Sequence, residues 1–187
     1  DNTLTKMDGY SQLSFSPDGK YMAFLNPNTP NAENYFHNNK VLIEETARGI
    51  SSRRLILFPP VGGFMVHPDV RDYAFSAQND DLFIIYDVYS DYYEKSLGIQ
   101  TYRMNLPSGI LYDYGQLNGN YGSLAPRVVW SPSGEQVLLF LSSVDDAGEF
   151  SLGIQQVALQ SGEKINLYDS AILSASEYFY ITNIFWR

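Results

Sequence analysis

Side chains able to do chemistry are few and scattered in this sequence. His37 and His67 are its two histidines, and neither has a second His or any Cys at a metal-ligand spacing. The chain has no Cys, so it carries no thiol nucleophile, disulfide framework or zinc ribbon. No Gly-x-Ser-x-Gly string offers a nucleophile elbow, and no Gly-rich loop opens a helix to cradle phosphate. Carboxylates do cluster, at Asp80-Asp81, at Asp91 with Glu94, and at Asp145-Asp146 with Glu149. The last group lacks the alternating oxygen ligands and distal Glu of a calcium loop, so all three read as solvated loop carboxylates. His67, in Met65-Val66-His67-Pro68, reads as a loop side chain rather than a base. These residues predict no catalysis, no cofactor and no metal.

Composition narrows the remaining classes. Of 187 residues 44% are apolar and 18% charged, enough for a packed core. The longest apolar runs, such as Leu82–Tyr86 and Val137–Leu141, fall far short of the about 20 residues that a membrane-spanning helix needs. Twelve Lys and Arg against 21 Asp and Glu give a net charge of −9, without a basic block. Such a surface repels phosphate backbones and anionic lipid, so nucleic acid and membrane insertion are not expected. Without Cys the redox compartment stays open. The chain starts Asp1-Asn2-Thr3 rather than with Met, which predicts a cleaved leader or a piece of a longer polypeptide.

The elements that must position any site are strands. Fifteen Tyr and 11 Phe accompany Val, Ile and Leu in short runs bounded by Gly, Pro, Asn, Asp and Ser. Those runs also repeat. Phe15-Ser16-Pro17-Asp18-Gly19-Lys20 aligns with Phe75-Ser76-Ala77-Gln78-Asn79-Asp80 and then with Trp130-Ser131-Pro132-Ser133-Gly134-Glu135, at shifts of 60 and 55. Ser96-Leu97-Gly98-Ile99-Gln100 returns identically as Ser151–Gln155, again shifted by 55, and each copy is followed by a Ser-Gly turn and a Leu-Tyr-Asp. The chain is therefore a tandem array, with four strands A to D per unit. The spacing predicts Gln12–Ser16, Tyr21–Asn26, Lys40–Ala47 and Arg53–Phe58, then Asp72–Ser76, Leu82–Asp87, Leu97–Asn105 and Ile110–Tyr114. The third set is Arg127–Ser131, Gln136–Ser142, Ser151–Gln160 and Lys164–Leu167, and Ile181–Trp186 begins a further unit with Trp186 in register with Trp130.

Four antiparallel strands per repeat is the unit of a β-propeller blade. The string Phe-Ser-Pro-Asp-Gly-Lys-x-x-Ala-Phe resembles the blade signature of TolB-type, WD40-like propellers, clear in the first and third units and decayed in the second. The resemblance covers essentially the whole chain. It implies an all-β propeller segment over 1–187, with blades at 10–60, 70–116 and 125–169 and the first strand of another at 179–187. It also implies a bacterial, exported setting (periplasmic, cell-surface or extracellular), since such repeats occur in envelope proteins and ahead of the hydrolase domain of prolyl-oligopeptidase-like peptidases. Within the string, Pro presets φ, Asp bonds its own backbone and Gly takes positive φ, so Asp18 is expected to be a turn residue. Phe15, Phe75 and Trp130 should occupy equivalent positions between stacked blades, as should Ile43, Ile99 and Ile154.

Topology then says where binding belongs. A–B and C–D hairpins emerge at one end of each blade and are short here. B–C loops and D–A connections emerge at the other and are long: Pro27–Asn39, Pro59–Arg71, Val88–Lys95, Gly115–Pro126 and Ser170–Tyr180. They carry Tyr35, Phe36, His37, Tyr89, Tyr92, Tyr93, Asn118, Asn120, Tyr121 and Tyr178, a Tyr/Asn composition suited to recognition. The function expected is a non-catalytic binding or scaffolding module whose partner is another protein, or a glycan if these rings stack on sugars. The alternatives are the gating propeller of a peptidase whose catalytic domain lies outside this chain, and a structural subunit of a surface assembly. Terminal blades lacking a neighbour predict self-association.

Overall fold

The computed structural model describes residues 11–26, 40–58, 66–90, 92–93, 95–117, 126–144 and 150–173. Twelve strands run through them: β1 (Ser11–Phe15), β2 (Tyr21–Asn26), β3 (Lys40–Glu45), β4 (Arg54–Leu55), β5 (Val66–Phe75), β6 (Asp81–Ser90), β7 (Lys95–Asn105), β8 (Leu111–Gln116), β9 (Arg127–Trp130), β10 (Gln136–Val144), β11 (Phe150–Ala158) and β12 (Lys164–Leu173). A 3₁₀ turn at Gly49–Ser52 is the sole helical element among the described residues. The strands form three four-stranded antiparallel sheets, β1–β4, β5–β8 and β9–β12, each meandering in chain order. This is the all-β repeat architecture that the spacing predicts.

Turn chemistry makes the hairpins. Ser16 N–H donates to Tyr21 O and Gly19 N–H to Ser16 O, at 2.9 and 2.8 Å, and Gly19 takes φ +71. Ser131 and Gly134 repeat these bonds at 2.9 and 3.0 Å, with Gly134 at φ +73. Asp18 is the turn residue expected. It accepts from the Ser16 hydroxyl at 2.7 Å and from the Lys20 N–H at 3.1 Å, and pairs with the Lys20 ammonium at 2.7 Å. Those bonds, the Lys20 side chain first, lower its pKa to about 2. The second unit has no Gly here, and the Ser76 hydroxyl instead accepts the N–H groups of Gln78 and Asn79.

Two cores lie between the sheets. β6 is apolar on both faces: Leu82, Ile84, Tyr86 and Val88 pack toward the first sheet with Ala23, Leu25, Val41 and Ile43. Phe83 and Ile85 pack toward the third with Val128, Trp130, Val137, Leu139 and Leu141. The residue ending each first strand occupies the same pair position: Phe15 opposite Met22, Phe75 opposite Leu82, Trp130 opposite Val137. Phe75 and Trp130 pack onto the preceding sheet as expected, whereas Phe15 is 55% exposed.

Several expectations need correction. The strands outrun their predicted ends: β5 starts at Val66 rather than Asp72, and β6 continues to Ser90 rather than Asp87. His67 and Tyr89 are therefore strand residues facing one another, not loop residues. Pro68 hid this, but β5 is an edge strand, where a missing N–H costs no ladder bond. Asp81 is buried at the start of β6, accepting from the Asn105 amide at 3.1 Å, so it is no solvated loop carboxylate. The three isoleucines do not coincide. Ile43 faces Ala23, Ile154 faces Phe140 and Ile99 faces Asp87, which are successive steps of two residues along equivalent third strands. A slip of two preserves the side-chain face, so the pattern survives while the register moves.

Candidate recognition face

At the hairpin end the backbone saturates itself. In all three sheets the turn after the third strand donates its N–H to the turn after the first: Thr46 to Lys20 O, Leu106 to Asp80 O and Leu159 to Glu135 O, at 2.8, 2.8 and 2.9 Å. The same turns join neighbouring sheets. Arg54 of β4 donates to Leu106 O, and the Tyr114 hydroxyl of β8 donates to the equivalent Leu159 O at 2.8 Å. This end is occupied by structural bonds.

The opposite end of the second sheet is built differently. β6 and β7 run on as a long ribbon in which Ser90 pairs with Lys95, so the loop predicted over Val88–Lys95 is strand at both ends, with Tyr92 and Tyr93 in a turn between them. Tyr92 and Tyr93 occupy it, 68% and 63% exposed, their rings edge to face at a centroid distance of 4.8 Å. The Ser90 hydroxyl, itself buried, accepts the Tyr93 N–H at 3.4 Å and ties the turn to its strand. Exposed tyrosine rings, with two rotatable bonds each, lose little side-chain entropy on contact, which suits them to recognition.

Just inside this turn lies a charge cluster that sequence reasoning missed. Asp69 and Asp87 are paired across β5 and β6, and both carboxylates are fully buried. Arg71 bridges them, its Nη2 at 3.2 Å from Asp69 Oδ2 and 2.8 Å from Asp87 Oδ2, while the Ser96 hydroxyl donates to Asp87 at 2.5 Å. Two buried like charges require such a counter-ion. The signal was the alternation Val66, Pro68, Val70 against Asp69 and Arg71, which is strand periodicity across a proline. Further along the same strand Asp72 accepts the Val128 N–H at 2.9 Å from the third sheet, with Arg127 at 3.7 Å. Burial raises its pKa to about 6 against the opposing pull of that N–H and of Arg127.

Of the ten residues expected on this face, Tyr89, Tyr92 and Tyr93 are brought together on the β6–β7 ribbon. Tyr35, Phe36, His37, Asn118, Asn120, Tyr121 and Tyr178 lie outside the described residues, as do Asp91, Glu94, Asp145, Asp146 and Glu149. Among the described residues no group of three His, Cys, Asp or Glu side chains is placed to hold a metal. No helix of the described residues is long and apolar enough to cross a membrane.

No family model and no curated protein matches the sequence. Solved structures do match in shape. The β-propeller domain of the trilobed protease from Pyrococcus furiosus is similar over 86% of this chain and 43% of its own, at 12% identity and a TM-score of 0.53. The acylaminoacyl peptidase of Pyrococcus horikoshii matches over 86% of this chain and 25% of its own, at 12% identity and a TM-score of 0.49. The fold is a β-propeller. The chain spans less than half the length of the structures it matches, and each four-stranded sheet is a blade.

Proposed function

We propose that this chain is a non-catalytic, TolB-like propeller segment of an exported bacterial protein that recognises a partner protein through its long-loop end. The observation that carries the reading is the Tyr92–Tyr93 turn, two exposed rings on a ribbon anchored by buried Ser90 and by the Asp69–Arg71–Asp87 bridge. The self-bonded hairpin end supports the same assignment by contrast. A photo-crosslinking amino acid placed at Tyr92 in the full-length protein, in its native cells, should give a discrete adduct, whereas the same probe at Ser133 should not. Adducts from Ser133 alone would overturn the assignment.

A second reading is favoured by the protease propeller among the structures of similar shape. Here the segment belongs to the gating domain of a prolyl-oligopeptidase-like peptidase, and the long-loop end faces a catalytic domain outside this chain. The gene sequence beyond Arg187 separates the two: continuation into a Gly-x-Ser-x-Gly domain supports the peptidase, and its absence leaves the binding module.

A further inference from the structure

The same five residues pair in two ways in this chain. Ser151-Leu152-Gly153-Ile154-Gln155 of β11 lies against Leu139–Ser143 of β10 without interruption, and Gly153 has no positive φ. Ser96-Leu97-Gly98-Ile99-Gln100 of β7 is bulged. Ile99 faces Asp87, but the next pair toward the turn is Ser96 with Tyr89, so Leu97 and Gly98 together span the one position of Val88. Gly98 takes φ +141, and a Cβ there would meet Gln116 Cδ at 2.9 Å. The pentapeptide accepts both pairings, so the choice lies in what it faces.

Asp87 makes the difference. Its carboxylate is fully buried, with Arg71 Nη2 at 2.8 Å from Oδ2 and the Ser96 hydroxyl donating to Oδ1 at 2.5 Å. At the 55-residue shift the third blade has Ser142 in its place. In an unbulged β7 the pairing of Asp87 with Ile99 would continue as Tyr89 with Leu97 and Ser90 with Ser96. A slip of one residue exchanges faces, so Leu97 would stand on the Asp87 face and the Ser96 hydroxyl on the other. Oδ1 would lose its donor, which is costly for a buried carboxylate. The bulge keeps Ser96 in place. Its hydroxyl also accepts the Gly98 N–H at 3.2 Å, while Gln116 Nε2 donates to Leu97 O at 3.4 Å.

We infer that the Ser96–Asp87 bond sets the register of the Tyr92–Tyr93 turn, which makes Ser96 a positioning residue for recognition there. With the bulge, Ser90 pairs with Lys95 and four residues lie between them. Without it, Ser90 pairs with Ser96, a fifth residue enters the turn and both rings are re-aimed. The inference rests on the Tyr92–Tyr93 turn being the recognition site, and its first readout needs no partner.

Cross-strand nuclear Overhauser contacts in the isotope-labelled 187-residue chain read the register directly. In the parent they should link Ser90 to Lys95, and in Ser96→Ala they should link Ser90 to position 96. Ser96→Thr keeps the hydroxyl and should restore the Lys95 contact. Photo-crosslinking from Tyr92 should lose adduct several-fold in Ser96→Ala and regain it in Ser96→Thr. Ser90–Lys95 contacts that persist in Ser96→Ala overturn the inference, as does a moved register with undiminished adduct. If the parent itself gives no adduct, the recognition reading fails, while the contacts still decide whether Ser96 sets the register. Should Ser96→Ala fold poorly, combining it with Leu97→Ser offers Asp87 a hydroxyl from the unbulged pairing. That double variant should fold with Ser90 against position 96, and retained Ser90–Lys95 contacts in it overturn the inference.

Discussion

Asp72 lies buried at the seam between two blades. Burial raises its pKa from 3.8 to about 6, so the folded chain keeps the proton more tightly than the unfolded one. The resulting stabilisation is complete below about pH 4 and is lost as pH rises through about 6. At about 1.4 kcal/mol per pKa unit it amounts to up to ~3 kcal/mol. Asp72→Asn keeps an acceptor for the Val128 N–H and removes the titration. Urea unfolding at a series of pH values should show the variant more stable than the parent at pH 7, with the difference vanishing near pH 4. Two glycines offer a second residue-level test. Gly19 and Gly134 share φ values of +71 and +73, but an added Cβ meets nothing within 4 Å at Gly19 and meets Asn79 Nδ2 at 3.0 Å at Gly134. Gly19→Ala should cost about 1 kcal/mol, the backbone strain alone. Gly134→Ala should cost roughly twice that, because its neighbour in the second blade must also move.

Between elements, side-chain donors aimed at backbone carbonyls of a neighbouring blade recur. Tyr73 donates to Ala23 O, Trp130 to Ala74 O, Tyr114 to Leu159 O, and the Lys164 ammonium to Tyr114 O and Gln116 O. Tyr114 sits at the register shift between Asp113 and Gly115, and Leu167 sits at the matching shift between Asn166 and Tyr168. The irregularity belongs to the repeat, since it turns a fourth-strand side chain toward the following blade. Tyr114→Phe removes the hydroxyl and leaves the Leu159 carbonyl without that donor. It should cost about 1 kcal/mol in chemical denaturation, with no change in far-ultraviolet dichroism.

At the scale of the whole molecule, three blades stack in chain order and their seams hold most of the buried apolar surface. Ile165, Leu167 and Tyr168 form an apolar strip on the outer half of the third blade. Such strips drive association. The 187-residue chain should sediment as more than a monomer at tens of micromolar, and Leu167→Glu should restore the monomer. A parent that stays monomeric throughout would show that this strip is covered.

The sequence by itself determined the strands, their grouping in fours and their order. Period-two alternation, Ser-Pro-Asp-Gly chemistry and a period near 55 are local or tandem properties, written in neighbouring residues. Asp18 as a turn residue, and the seam positions of Phe75 and Trp130, follow from the same signals. Tertiary structure alone decided how far the strands run and how they slide. Pro68 ends a strand by local rules, yet on an edge it leaves β5 intact back to Val66. The identical Ser-Leu-Gly-Ile-Gln copies stand two residues apart in register, because pairing energy depends on which face is buried and a slip of two leaves that face unchanged. The Asp69–Arg71–Asp87 bridge was legible only in part, in the alternation around Pro68, for a similar reason. Its members are separated in the chain by up to 18 residues and meet only where β5 lies against β6.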